Sequence, residues 1–198
     1  MARPSKFNRQ EAVEFAMNEF WREGYEANSV KALSEKLGIT RSSFYNAFNS
    51  RQALFGEALA LYCSQTPDQA LVHATPDMSI KKLVTDTLRA ICISRSEDPG
   101  ARGCLAVNCI AELCNTNDEL SSKLEDIILG SVARIETLLG WGVATGEINE
   151  DVNIHALALS LQNLIIGLNV LSKVVRTEAD LWQVAKTTLQ GLDLLAET

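Results

Sequence analysis

The stretch Ser29-Val30-Lys31-Ala32-Leu33-Ser34-Glu35-Lys36-Leu37-Gly38-Ile39-Thr40-Arg41-Ser42-Ser43-Phe44-Tyr45-Asn46-Ala47-Phe48 decides how the whole chain is read. Val30, Leu33 and Leu37 recur at intervals of three and four, which predicts a short helix, and Gly38 ends it. Thr40 is placed to cap a second helix running to about Phe48, with Phe44 and Phe48 four apart on its inner side. A glycine in the break lets two short helices cross steeply, with Ala32 and Leu33 packing on Phe44. The pattern predicts a helix-turn-helix. The outward face of its second helix carries Thr40, Arg41, Ser42, Ser43, Tyr45 and Asn46, all small or hydrogen-bonding. Arginine can grip a guanine edge through two bonds, and hydroxyls suit bases or phosphates, so this face is a candidate for the major groove of duplex DNA. Further phosphate anchors are expected at Tyr25, at Asn28 and Ser29, at Lys31, and at Ser50 and Arg51. Several of these stand at helix starts, where free N–H groups favour anions.

Outward from this stretch the same periodicity continues. Val13, Ala16, Met17 and Phe20 line a first helix over about 8–23, closed by Gly24 in the position of a left-handed cap. Ser50 can cap a fourth helix carrying Leu54, Ala58 and Tyr62. Pro67 and Pro76 bracket a polar linker, and helices are expected at about 79–96, 102–115, 118–144, 152–175 and 178–196. Nine helices and no strands predict an all-α chain, with a helix-turn-helix domain over 1–50 and a helical bundle over 51–198. The helix at 152–175 is apolar almost all round, more than one core face requires, so a second copy should cover the remainder. Together with the helix at 178–196 it predicts a two-fold four-helix interface and a homodimer whose recognition helices lie about 34–36 Å apart or somewhat more.

Charge sharpens the division of labour. The 198 residues carry a net charge of −7, with 46% hydrophobic and 22% charged residues, the balance of a folding chain and not of a disordered one. Residues 1–55 hold eight Lys/Arg against six Asp/Glu, whereas 56–198 hold ten against nineteen, so any contact with nucleic acid belongs to the N-terminal quarter. The opening residues lack the apolar run of a leader, which predicts a cytoplasmic protein. Ile154 to Val175 is broken by Gln162, Asn163, Asn169 and Lys173 and reads as a buried helix, not a membrane span. Five cysteines without CxxC spacing are expected to be free thiols. Cys104, Cys109 and Cys114 stand five apart, about 140° from one to the next on a helix, so they do not converge on a metal. His73 and His155 read as surface residues. Two histidines with scattered carboxylates offer no convergent nucleophile, base and orienting group, so an enzyme is not expected, and neither is a cofactor.

The residues Gly24-Tyr25-Glu26-Ala27-Asn28-Ser29-Val30, with Lys31 and Lys36, Leu37-Gly38-Ile39-Thr40, Ser43-Phe44-Tyr45-Asn46-Ala47-Phe48 and Ser50-Arg51-Gln52-Ala53-Leu54, carry a family resemblance. Together they resemble the DNA-binding domain of tetracycline-repressor-type (TetR/AcrR) regulators. That resemblance implies an operator-binding repressor whose larger part binds an inducer and dimerises. Gly103-Cys104-Leu105-Ala106-Val107-Asn108 through Ala111-Glu112-Leu113-Cys114 resembles the matching helix of a subgroup that includes N-ethylmaleimide-responsive repressors. It implies a reactive Cys104, a neighbouring Lys173 and a second thiol at Cys114, and an electrophile or oxidant as inducer. Independently of the resemblance, Cys104 stands at a helix start beside Arg102, where free N–H groups and a cation favour negative charge. The alternative is an uncharged apolar effector held among the larger domain's helices. Its polar anchors would come from Asn108, Glu112, Gln162 and Asn163, with Asn169 on the same polar stripe as Gln162 and Lys173.

Overall fold

The computed structural model describes residues 7–114 and 116–196. Among them all regular structure is helical, in ten segments. The head contains α1 (Arg9–Glu23), α2 (Val30–Leu37), α3 (Arg41–Phe48) and α4 (Arg51–Ser64). A one-turn α5 (Gln69–Val72) leads into the body, which comprises α6 (Ile80–Ser96), α7 (Leu105–Leu113), α8 (Asp118–Ala144), α9 (Ile154–Leu171) and α10 (Glu178–Gly191).

Helix starts are written locally. Asn8, Ser29, Thr40, Ser50, Ser79, Asn117, Asn153 and Thr177 each turn a side-chain oxygen onto a backbone N–H of the first turn, and each such cap contributes about 1 kcal/mol. Gly38 closes α2 in the left-handed conformation at φ 66°, where a side chain would meet the following carbonyl. Gly24 departs from the expected left-handed cap: its φ is 83° but its ψ is extended at 173°.

Two apolar clusters hold the fold. In the head, Phe20, Tyr25 and Phe55 meet edge-on or stacked and Phe44 lies tilted on Phe48, with paired ring centroids 5.1–5.8 Å apart. Each fully buried side chain of this kind contributes roughly 1.5–3 kcal/mol. The same cluster takes in Leu54, Ala58 and Tyr62 of α4 and Leu105, Ala106, Cys109 and Leu113 of α7. Packing therefore does not break at residue 50, because α4 completes the head while reaching into the body. The second cluster joins α6, α8, α9 and α10 through Leu88, Ile91, Leu139, Leu161, Leu168 and Leu189. By length and composition α8 and α9 could cross a membrane, with mean hydropathy 1.4 and 1.6, yet each directs one apolar face into this shared core.

Several expected boundaries move. The segment read as a linker between Pro67 and Pro76 contains α5, too short to show a periodicity. α7 begins at Leu105 and not at 102, because Gly103 takes a φ of 69° and lies against α9. A Cβ there would stand 2.5 Å from the Asn169 carbonyl oxygen. The expected end of that helix at 115, and the opening residues read for a leader, lie outside the described residues. α9 and α10 stop at Leu171 and Gly191, each closed by a turn, with Asp193 at φ 54° after the latter.

Candidate nucleic-acid interface and effector cavity

α3 presents the surface its sequence promised. Phe44 and Phe48 are buried, and this rotates Arg41, Ser42, Ser43, Tyr45 and Asn46 to the exterior. Tyr45 is 49% exposed, with its ring edge-on to Phe44 at 5.8 Å. Thr40 Oγ1 accepts from Ser43 N at 3.1 Å, so the cap fixes the first turn of the exposed helix. Ser29 and Lys31 are exposed at the start of α2, with Lys31 loosely paired to Glu35 at 3.9 Å. Ser50 is half-buried, its hydroxyl engaged by Ala53 N at 3.0 Å.

Two of the expected phosphate anchors face the other way. Tyr25 is fully buried, stacked on Phe20 and edge-on to Phe55. Burial pushes its hydroxyl pKa up. Asn28 is likewise buried, and its amide donates to the Glu19 and Gly24 carbonyls at 3.1 and 2.8 Å. Both side chains brace the turn between α1 and α2 from inside, so neither reaches a phosphate. Arg51 serves the same turn: its guanidinium lies 3.9 Å from the Tyr25 ring centroid and donates to the Tyr25 carbonyl at 3.3 Å.

α7 links the head to the body at both ends. At its start the Trp21 indole donates to the Gly103 carbonyl at 3.1 Å, and Arg102 lies over the Trp21 ring at 3.6 Å. Arg102 also pairs with Asp98 at 3.0 Å and donates to Asn18 Oδ1 at 3.2 Å. It is thereby committed to the junction with the head, and is not the partner of Cys104 that adjacency in sequence suggested. Burial alone would push the Asp98 carboxyl up, but hydrogen bonds from the Arg102 side chain and backbone outweigh it and hold the carboxyl below its ordinary range. Near the far end of α7, Glu112 accepts from Tyr25 N at 3.0 Å and Glu26 N at 2.8 Å. Glu112 clamps the head and is not among the residues that border the cavity below.

The remaining residues read as sensor or effector contacts fall into separate places. A cavity of about 170 Å³ among α4, α6, α7, α8 and α9 is bordered by Tyr62, Cys63, Arg95, Cys104, Ser131, Arg134, Gln162 and Asn169. Gln162 and Asn169 border the same cavity as Cys104. Tyr62, Arg95, Ser131 and Arg134 were not anticipated. Arg95 left a signal, an arginine in register with the apolar stripe Val84, Leu88 and Ile91. Asn108 and Lys173 line a different cleft, where Lys173 Nζ donates to Asn108 Oδ1 at 2.8 Å and Asn108 Nδ2 to the Arg102 carbonyl at 2.8 Å. Among the described residues no hydrogen bond joins Lys173 to Cys104. Asn163 is exposed in the groove between α9 and α10, outside the cavity. Cys114 caps the end of α7, ten residues along the chain from Cys104.

Burial removes three of the five thiols from contention as thiolates. It pushes Cys63 up to about 12, Cys92 up to about 11 and Cys109 up to about 12, with nearby negative groups adding to each.

Comparison with known proteins agrees with this architecture. Residues 13–58 match the family described as bacterial regulatory proteins, tetR family, and residues 84–188 match the tetracyclin repressor-like C-terminal domain. The chain is 27% identical over 192 residues to the HTH-type transcriptional repressor ComR of Escherichia coli, covering 95% of this chain and 90% of ComR. A cysteine mutant of the TetR family transcriptional regulator CifR, complexed with 26 bp double-strand operator DNA, superposes with a TM-score of 0.84 at 29% identity, covering 96% of this chain and 100% of that one. A second CifR cysteine mutant, in a structure with the same length of operator, gives a TM-score of 0.82 at 31% identity over 95% and 98% of the two chains. These relatives are regulators, not enzymes. The chain belongs to the tetR family of bacterial regulatory proteins, with a helix-turn-helix head and a tetracyclin repressor-like body.

Proposed function

We propose that the protein is a dimeric repressor that holds a near-palindromic operator through α3 and releases it when an inducer acts at the cavity beside Cys104. The observation that carries this reading is the placement of α7. Its N-cap, Cys104, borders the cavity, and Glu112, two turns on, grips the backbone of Tyr25 and Glu26 in the head. An adduct on Cys104 adds volume to a cavity whose floor is α7, and a displaced α7 carries the Glu112 clamp with it. The head then takes an orientation in which two α3 helices no longer match both half-sites, a population shift set by the inducer's differential affinity.

Phosphate contacts in this reading come from Ser29, Lys31, Ser50 and the free amides of the helix starts, and base contacts from Arg41, Ser42, Ser43, Tyr45 and Asn46. Dimerisation is supported by exposed apolar residues on the outer side of α9 and α10 and in the turn between them, with Leu159 at 46%, Val170 at 52%, Val174 at 77% and Val184 at 40%. Such a face calls for a second copy. A reader of genomic DNA works in the cytoplasm.

Fluorescence anisotropy on a duplex from the region upstream of the gene tests the switch, using the wild type and Cys104→Ser before and after N-ethylmaleimide. The reading expects alkylation to weaken wild-type binding by about tenfold or more, within the usual span of allosteric coupling, and to leave Cys104→Ser bound. Equal release of both proteins removes Cys104 as the sensor.

A further inference from the structure

The cavity beside Cys104 carries a charge that the protein does not neutralise. Arg95 is 6% exposed, and its contacts are neutral: Nε donates to Asn169 Oδ1 at 2.6 Å and Nη2 to the Tyr62 hydroxyl at 3.2 Å. Among the described residues no carboxylate is in ion-pair range of it, and Nη1 has no protein acceptor. A buried guanidinium without a counter-ion is costly, and proteins ordinarily pair or coordinate such a charge. Arg134, half-buried on the opposite helix α8, borders the same cavity and is likewise without an ion pair among the described residues. The one carboxylate on the wall, Asp68, pairs with neither arginine. The cavity therefore has two cationic groups against one anionic group.

We propose that this cavity is a binding site for a small monocarboxylate with a compact apolar body, whose carboxylate pairs with Arg95 and Arg134. Guanidinium forks match a carboxylate's two oxygens geometrically, and the free Nη1 supplies donors for them. Leu71, Ile91, Ile127 and Ile165 give the wall an apolar portion for the body of the ligand, beside the polar Thr66, Gln69, Ser131 and Gln162. A volume of about 170 Å³ is close to the ~150 Å³ that admits a benzene ring in an engineered protein cavity. The ligand is thus of single-ring or short-chain size, not a long acyl chain. This deepens the effector reading above, since it names the class of molecule that would act there, and differs in charge from the uncharged effector that the sequence offered as the alternative.

Isothermal titration calorimetry of the full-length protein with sodium benzoate, against neutral benzamide of the same shape at matched ionic strength, tests the site. Benzoate is expected to bind at least about tenfold more tightly than benzamide, the effect of a charge-assisted pair. Arg134→Met, which removes no hydrogen bond or ion pair among the described residues, is expected to abolish that preference, and Arg95→Met to do the same if its circular dichroism is native. Equal affinity for the two probes overturns the proposal, as does no binding of either up to ~10 mM or an undiminished preference in Arg134→Met. Repeating the titration on the operator complex separates the two readings. Arginine-dependent benzoate binding that leaves DNA bound upholds the site and removes only its role as an effector.

Discussion

Glu112 and Tyr25 are 87 residues apart in sequence, yet the Glu112 carboxylate accepts the Tyr25 backbone N–H at 3.0 Å while its other oxygen takes the N–H of Glu26. The approach is so close that a Cβ on Gly24 would stand 2.8 Å from Glu112 Oε2. A carboxylate holding two backbone amides is a charge-assisted contact, and losing such a bond costs about 1.5–3 kcal/mol. The contact ties α7 to the turn that precedes α2, and so joins the head to the body.

Glu112→Ala therefore frees the head without touching α3. Operator affinity should fall several-fold, since binding must then order a looser head, and the remaining affinity should respond less to N-ethylmaleimide. Anisotropy titrations of the variant with and without alkylation check both. An unchanged response to alkylation would show that coupling runs elsewhere.

Thiol chemistry should be selective. With Cys63, Cys92 and Cys109 pushed up to about 12, 11 and 12, their thiolate fraction at pH 7.5 stays below about one in a thousand. Brief treatment of the native protein with N-ethylmaleimide, followed by peptide mass spectrometry, should label Cys104 and Cys114 and spare the other three. Denaturation should make all five reactive.

Gly103→Ala tests the close approach of the α7 entry to α9. Alanine would have to hold a φ of 69° and clear the Asn169 carbonyl oxygen at 2.5 Å. A strained backbone position of this kind costs about 1–3 kcal/mol, so the urea midpoint should drop accordingly, whereas Gly130→Ala, in open space on α8, should leave it unchanged or raise it.

Asp98 gives the junction a pH dependence of known sign. Its carboxyl is held below the ordinary value by Arg102, so its contribution to stability is present above the unfolded pKa near 3.8 and is lost as pH falls through the lower folded value. Asp98→Asn should thus be less stable than the wild type at neutral pH, by about 1 kcal/mol. The gap should close in strong acid. Thermal melts of both proteins between neutral pH and pH 2 measure it.

The head could be read from its sequence because its determinants are local. Thr40, Gly38 and the spacing of Phe44 and Phe48 fix two helices, the turn and the exposed face without help from the rest of the chain. What stayed hidden depends on distant partners. Tyr25 and Asn28 look like surface polar residues until Phe20, Phe55 and the Glu19 carbonyl fold around them. Glu112 looks like a cavity anchor until the head packs on α7, and Arg102 belongs to Asp98 and Trp21, not to its neighbour Cys104. Arg95 could have been found, since an arginine in register with Val84, Leu88 and Ile91 has to be buried.

Operator binding, as proposed, rests on the outward face of α3. The direct test is the affinity of the purified protein for duplex DNA from its own upstream region, measured by anisotropy for the wild type and for the Arg41→Ala, Tyr45→Ala double variant, with circular dichroism on both. Salt-dependent binding by the wild type is expected, with a loss of about a hundredfold or more in the double variant at unchanged helicity, given about 1–3 kcal/mol per base contact. Equal binding by the two proteins, or no binding by the wild type at low ionic strength, would contradict it.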